Sequence, residues 1–384
     1  MEESGINQLP RDTLHQIFLS LPLRQIMICR SVCKSFYQIL TSPSFIDLIS
    51  TLPPLTLLAL RPSHNHHHHH HNNSNNVTRH VSDPNYLHVY DPDRNQWLRF
   101  PLDFLPFHSP HPVASASGLV YLWGDSPESN KSLVVCNPLT RHFNVLPQLG
   151  SAWSRHGSVL VDSTNRVMVL TELAALYFSG ATAAATPTTS GTNNQWLKFS
   201  SNLPAKPRSP ILVSDTVLAL CDVGSPWRSQ WKLFSCTLSN LKQSHDNNNW
   251  ACLERHEWGD VFDILKRPRL VRGMGNKILM IGGLKSSFSL NSSCSTILIL
   301  RLDLDLLEWE EAGRMPVEMY RSFQESTKFK VFGGGDRVCF SAKRTAKMAL
   351  WDCFDGWRWI HGVPGNGDGL CRGFVFEARL ASIP

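Results

Sequence analysis

One segment of the chain occurs twice. "VYDPDRNQWLRFP" (89–101) aligns without a gap on "VCNPLTRHFNVLP" (135–147), 46 positions further on, so Asp91-Pro92 falls on Asn137-Pro138 and Trp97 on Phe143. The same aromatic position recurs at Trp196, Trp250, Trp309 and Trp357, with successive separations of 46, 53, 54, 59 and 48. Within each period a turn residue (Gly118, Asn165, Asp215, Asn276, Asp336) leads into a short apolar strand such as "LVYLWG" or "KILMIGG". Sheets of a few short strands cannot bury both faces alone. Arranged around an axis they bury one another, so a period near 50 residues predicts the blades of a β-propeller. Because the six aromatics occupy equivalent places, they are expected to pack in the core rather than bind a ligand.

Six aromatic positions call for six blades, with seven as the alternative. The first second strand is "PLTLLAL" (54–60), which has no inner strand before it. "CRGFVFEARL" (371–380) is apolar, strand-like and otherwise unpaired, and is expected to supply that strand and close the ring. Connections in an antiparallel blade alternate between the two faces, so those after the second and fourth strands share one face. That face collects Trp153, Arg155, Trp227, Arg228, Trp258, Arg272, Arg321, Phe323 and Arg372. Trp and Arg are enriched at binding hot spots, which makes this the expected target-binding surface, the alternative being that some of these side chains pack between blades. Arg155, Arg272, Arg321 and Arg372 are expected to ring the central opening on this face, a basin suited to an acidic or phosphorylated segment. The loops 179–194 and 239–249 on the other face read as flexible spacers.

The front of the chain is different. In "LPRDTLHQIFLSLPLRQIMICRSVCKSF" (9–36), Leu14, Ile17, Phe18 and Leu21 follow helical spacing, and Pro22 ends that run. A second periodic stretch begins at Leu23, and a third carries Val32, Phe36, Ile39 and Leu40 until Ser42 and Pro43 stop it. Three short helices are predicted, too small a unit to be comfortably stable alone. The tract "HNHHHHHHNNSNN" (64–76) lacks any apolar period and is expected to form a disordered loop over 62–80 rather than a metal site. A net charge of +6 over 384 residues, with no dense basic stripe, does not point to nucleic acid. No apolar run is long enough to span a bilayer and the first residues are acidic, so the expected location is cytoplasmic, nuclear or both, without membrane attachment. The ten cysteines form no CxxC pair, which suggests reduced thiols.

The front residues carry a resemblance. Leu9-Pro10, "IFLSLP" (17–22), "RSVCKSF" (30–36) and the following "SPSF" resemble the F-box motif over residues 6–49, with Phe36 where that family usually has Trp. The resemblance implies docking on a Skp-type adaptor and, through it, on cullin and RING subunits of a ubiquitin ligase. It implies an adaptor-binding set of Leu9, Pro10, Leu14, Ile17, Leu21, Pro22, Ile26, Val32, Cys33 and Phe36, divided between helical core and surface, with Leu9, Pro10 and Pro22 mainly at the surface. The double glycine Gly282-Gly283 and the order of strands in each period are similar to the kelch repeat, and Asn137–Pro147 looks like the divergent blades of plant F-box proteins.

The expected architecture is mainly β: a small three-helix F-box domain at 1–50, then a kelch-like propeller at 51–384 closed by the C-terminal strand. The expected role is a noncatalytic substrate receptor with no cofactor and an unidentified target protein. A non-degradative scaffold is the alternative, and a kelch-propeller enzyme is a rival. No Walker loop, GxSxG elbow or HExxH motif supports catalysis.

Overall fold

The computed structural model describes residues 9–61, 85–107, 109–125, 131–178, 195–239, 250–286, 294–324, 329–343, 345–365 and 370–384. The His/Asn tract at 62–80, the segment 179–194 and nearly all of 239–249 lie outside the described residues, as does His108.

Four helices open the described chain: α1 (Arg11–Leu19), α2 (Leu23–Cys29), α3 (Lys34–Leu40) and α4 (Pro43–Ser50). The expectation of three helices ending at Ser42-Pro43 is therefore corrected. Ser42 caps the fourth helix, its hydroxyl accepting the Phe45 N–H at 3.4 Å, and Pro43 occupies the first turn, where a missing N–H costs nothing. Cys33 caps α3 in the same way, accepting from the Phe36 N–H. Phe18 and Phe45 are fully buried, and the half-buried Phe36 meets Phe18 edge-on at 5.0 Å.

Six four-stranded antiparallel sheets follow, as the aromatic count predicts. Blade 1 holds β1 (Leu55–Arg61), β2 (Tyr86–Asp91) and β3 (Gln96–Pro101); blade 2 holds β4 (His111–Ala116), β5 (Leu119–Asp125), β6 (Lys131–Asn137) and β7 (His142–Val145). After a short helix, α5 (Ser151–His156), blade 3 holds β8 (Ser158–Val161), β9 (Val167–Leu170), β10 (Ala174–Phe178) and β11 (Leu197–Ser200). Blade 4 is β12 (Arg208–Val213), β13 (Thr216–Asp222), β14 (Trp231–Thr237) and β15 (Ala251–Leu253). Blade 5 is β16 (Leu265–Arg272), β17 (Lys277–Lys285), β18 (Cys294–Asp303) and β19 (Glu308–Arg314). Helix α6 (Val317–Gln324) leads to blade 6, made of β20 (Phe329–Gly334), β21 (Arg337–Ala342), β22 (Met348–Asp352) and β23 (Gly356–Ile360).

Strand β24 (Arg372–Ala378) completes blade 1 from the inside, pairing with β1 along its whole length from Leu55↔Ala378 to Arg61↔Arg372. Three side chains clasp the same joint. Arg337 of blade 6 bonds Asp352 in its own blade at 2.8 Å and Asp93 of blade 1 at 2.5 Å. Arg358 donates to the Pro92 carbonyl at 2.7 Å, and the Trp97 indole donates to the His361 carbonyl at 2.9 Å. Beyond β24 the chain continues to blade 2, where Asn137 donates to the Arg379 and Ser382 carbonyls. Gly118 sits at φ +85° against Ser382 and Arg379, so a side chain there would meet both the backbone penalty and the tail.

The recurrent Asp or Asn that ends a third strand has a local cause. Asp91, Asp303 and Asp352 each accept amide N–H groups two and three residues ahead, and Asn137 accepts from Leu139, which shapes the turn into the outer strand. The aromatic that follows packs into the interior at Trp97, Trp196, Trp250, Trp309 and Trp357. Phe143 departs from this pattern: it is 40% exposed, with Phe104 beside it at 6.3 Å.

The helical unit shares its core with the propeller. Leu14, Phe18, Ile26, Leu40 and Phe45 belong to one apolar cluster with Leu57, Leu102, Val120, Phe376 and Leu380 of blades 1 and 2 and the tail. Among the described residues no helix is long and apolar enough to cross a membrane.

Removal of 371–384 takes away β24, the buried Phe376 and Leu380, and the tail on blade 2. At about 1.5–3 kcal/mol for each large apolar side chain, against a total stability of about 5–15 kcal/mol, truncation should abolish or nearly abolish folding of the ring. Soluble yield and the melting curve of the truncated chain check this; an unchanged Tm would show that closure does not depend on β24.

Candidate functional site

The chain enters β1 from the face that carries the first-to-second and third-to-fourth strand connections, which sets the helical unit at that end. A cavity of about 490 Å³ lies in the joint, lined by Leu21, Pro22, Ile49, Leu98 and Leu380 among others. Pro22, expected mainly at the adaptor surface, is half-buried and lines this joint with the propeller. Leu14 and Ile26 are core residues, and Leu21 and Phe36 are half-buried. Leu9, Pro10, Ile17, Val32 and Cys33 are exposed. Ile28 and Tyr37, exposed by more than half, join them without having been singled out by the motif. Burial of the alternate helix positions leaves these side chains in water, a patch that asks for a partner.

The far end of the ring carries the connections after second and fourth strands. There the expected target-binding residues separate. Trp227 is 84% exposed at the tip of the β13–β14 connection, with Arg228 exposed beside it. Arg155, in α5, and Arg372, at the start of β24, are exposed and line the central channel, a cavity of about 1800 Å³. Arg321 is exposed on α6. Four other assignments are corrected. Arg272 is the last residue of β16, at the channel's opposite end, where its carbonyl accepts the Gly335 N–H. Phe323 is buried and stacks on Trp359 at 6.0 Å with planes 12° apart. Trp153 is half-buried within the core shared by blades 2 and 3, and Trp258 packs on Phe262 and Trp309 while donating to the Leu307 carbonyl.

Arginines do gather at this mouth, but they are not the four expected. Inner strands run in the same sense around the ring, in the order β24, β4, β8, β12, β16, β20, so their first residues share one mouth. Arg372 begins β24, Arg208 begins β12, and Arg267 is the third residue of β16, while Arg269, the fifth, reaches the Phe329 carbonyl at the start of β20. Arg61, the last residue of β1, stands directly opposite Arg372. Burial and the charge of Arg372 push the Arg61 guanidinium down to about 10, and burial together with Arg208, Arg372 and Arg267 does the same to Arg269. Arg208 is lowered by burial and by Arg267, with Asp222 acting in the opposite sense. At about 10, Arg61 and Arg269 stay protonated at neutral pH.

The signal missed in the sequence is short: "RSP" at 208–210 and "RPR" at 267–269. At both places the register between first and second strand slips, between Arg208 and Ile211 and between Lys266 and Arg269, and a non-glycine residue takes positive φ (Ser209, 46°; Arg267, 54°). Such bulges re-aim side chains at the rims of closed sheets, and the prolines are tolerated because the ladder is already broken there.

Among the described residues no three His, Cys, Asp or Glu side chains come together to hold a metal ion. Residues 6–48 match the family model of the F-box domain. The chain is 71% identical, over its full length and that of the relative, to SKP1-interacting partner 15 of Arabidopsis thaliana. It is 23% identical to Protein UNUSUAL FLORAL ORGANS of the same plant, over 98% of this chain and 86% of that one. A third Arabidopsis thaliana relative, described as an F-box protein, is 33% identical over 38% of this chain and 33% of its own length.

The contrast between Phe323 and Trp227 is testable. Phe323→Ala should destabilise the propeller by about 3–5 kcal/mol, as expected for a buried aromatic. Trp227→Ala should stay within about 0.5 kcal/mol, as expected for a surface side chain. Denaturant unfolding followed by tryptophan fluorescence, with circular dichroism for the Trp227 variant, measures both.

Proposed function

Because the chain belongs to the F-box protein family, we propose that it is the target-binding subunit of a Skp–cullin–F-box ubiquitin ligase, with no catalytic chemistry of its own. The helical unit docks on the Skp-type adaptor, which connects it to the cullin and RING subunits. The propeller binds a target protein and holds it for ubiquitination and proteasomal degradation. Ubiquitin transfer belongs to other subunits of such assemblies, so this chain needs only two surfaces and a rigid connection between them.

The observation that carries this reading is the exposed apolar patch on the helices, which falls inside the F-box match and includes Leu9, Pro10, Ile17, Ile28, Val32 and Tyr37. The name of the full-length relative supports an adaptor of the same kind for this chain. The shared core of helices and blades supports rigidity: a target on the far mouth would be held at a fixed distance from the adaptor. Arg155, Trp227, Arg228, Arg321 and Arg372 are the proposed target contacts on that mouth. The double glycine of β17 supports a kelch-like reading of blade 5, since a side chain at Gly283 would run into Cys294 on the next strand. Assembly of this kind takes place in the cytoplasm or nucleus, without nucleic acid or membrane.

Replacing Leu9 and Pro10 together by alanine should abolish adaptor pull-down while leaving the Tm of the propeller within a few degrees. An apolar side chain of Leu9's size contributes about 1.5–3 kcal/mol when an interface buries it fully, and about 1.4 kcal/mol is a tenfold change in Kd. Undiminished adaptor binding by this variant would remove the main support for the reading. Affinity purification with and without a proteasome inhibitor then separates degradation from scaffolding, because degraded targets accumulate on the protein only when the proteasome is blocked.

A further inference from the structure

We propose that the far mouth of the propeller channel is a binding site for a phosphate group, held by Arg61, Arg208, Arg267, Arg269 and Arg372. The inference rests on the reading of that mouth as the surface turned toward a target, and it names the chemistry the surface recognises.

Geometry carries it. Arg61 and Arg372 are register partners on adjacent antiparallel strands, and like charges directly opposite one another destabilise a sheet. Arg61 is the last residue of β1 and lines the channel, and its Nε, buried from solvent, has no hydrogen-bond partner among the described residues. Neither Arg61, Arg267 nor Arg372 forms an ion pair with a described carboxylate. Two carboxylates that end second strands on this face are otherwise engaged: Asp125, at the end of β5, is paired with Lys131 at 2.9 Å, and Asp222, at the end of β13, accepts the Gly224 and Gln230 N–H groups.

The other arginines are held in place rather than loose. Arg269 donates to the Phe329 carbonyl at 2.6 Å and lies over the Phe329 ring at 5.3 Å, while Arg208 lies over the Trp231 ring at 5.2 Å. The two bulges set these side chains at the rim of β12 and β16, and the strained conformations of Ser209 and Arg267 are retained there. Three of the six blades, 1, 4 and 5, thus carry guanidinium groups to this mouth, and Arg155 on α5 lines the same channel.

A half-buried arrangement of mutually repelling cations is unfavourable by itself and is relieved by an anion. A carboxylate brings one charge and two oxygens. A phosphate monoester brings close to two charges and three acceptor oxygens, enough to engage several guanidinium forks at once. The group can arrive on a phosphorylated side chain of the target or on a small soluble phosphate ester, and the shared chemistry is the phosphoryl group.

The test uses the full chain bound to its Skp adaptor, with pyrophosphate and phosphoserine peptides as probes at constant ionic strength. The sign of the variants is diagnostic. Arg372→Gln and Arg61→Gln should leave the Tm of the unliganded propeller unchanged or higher, because repulsion is relieved. The same variants should lose the rise in Tm that pyrophosphate gives the native chain and bind it about tenfold more weakly each, the size of one charged hydrogen bond. Peptide binding that requires the phosphoryl group assigns it to the target; binding of pyrophosphate in preference to every phosphopeptide assigns it to a soluble ligand, and either supports the site. Absence of any phosphate-dependent shift in the native chain, an undiminished shift in both variants, or a lower unliganded Tm in both would overturn it. If adaptor pull-down and target capture persist in that case, the receptor reading stands and this inference alone falls.

Discussion

Everything in this molecule depends on one strand pair, β24 on β1. A propeller is a row of sheets until its two ends meet, and an open row presents an apolar inner strand and a hydrogen-bonding edge to water and to other chains. Here the joint is made from strands whose facing residues Arg61 and Arg372 lie 311 positions apart in the chain, with seven register partners along the pair. The side-chain clasp of Arg337, Arg358 and Trp97 falls on the same seam between blades 6 and 1, where the ring would otherwise be weakest. The tail after β24 and the helices before β1 both lie at the near face, so closure also anchors the helical unit through the shared apolar cluster.

The two ends of the ring are chemically unlike. At the near end, charges are compensated: Arg337 has Asp352 and Asp93, and Arg379 has Glu377. At the far end, guanidinium groups accumulate at the beginnings of inner strands with few carboxylates to meet them. Strand direction produces the difference, since every inner strand starts at one mouth and ends at the other. An arginine at position one of such a strand and an arginine at its last position are separated by the full depth of the channel, as Arg372 and Arg272 show.

Periodicity made the ring legible. The spacing of the aromatics gave the blade count, and the unpaired apolar run at 371–380 gave the closure, because both follow from the need of each sheet for neighbours. Side-chain direction was much less legible. Phe323 and Arg321 are two residues apart on α6, yet one is buried against Trp359 and the other is in solvent, a helical phase that a loop reading does not contain. Arg272 was misplaced because the bulge at Lys266–Arg269 starts β16 earlier than its apolar run suggests. Ser42-Pro43 was read as a stop when it is a start: the same dipeptide ends one helix and caps the next. Phe143 kept its place in the repeat but not its burial, since β7 is exposed along its length.

The Velcro-like joint also fixes an order of events during synthesis. The helical unit and β1 emerge first, and β24 is made after every other strand. At about 5–20 residues per second, the ribosome needs roughly 15–60 s to travel from Arg61 to Arg372. Throughout that interval β1 has an unfilled inner edge. A nascent chain therefore carries the F-box helices well before it has a closed ring, and a prematurely terminated one would carry them with blade 1 unfinished. Such fragments would expose the apolar face that β24 and its tail cover in the shared core, so the strand made last decides whether the helices made first have a finished surface to pack on.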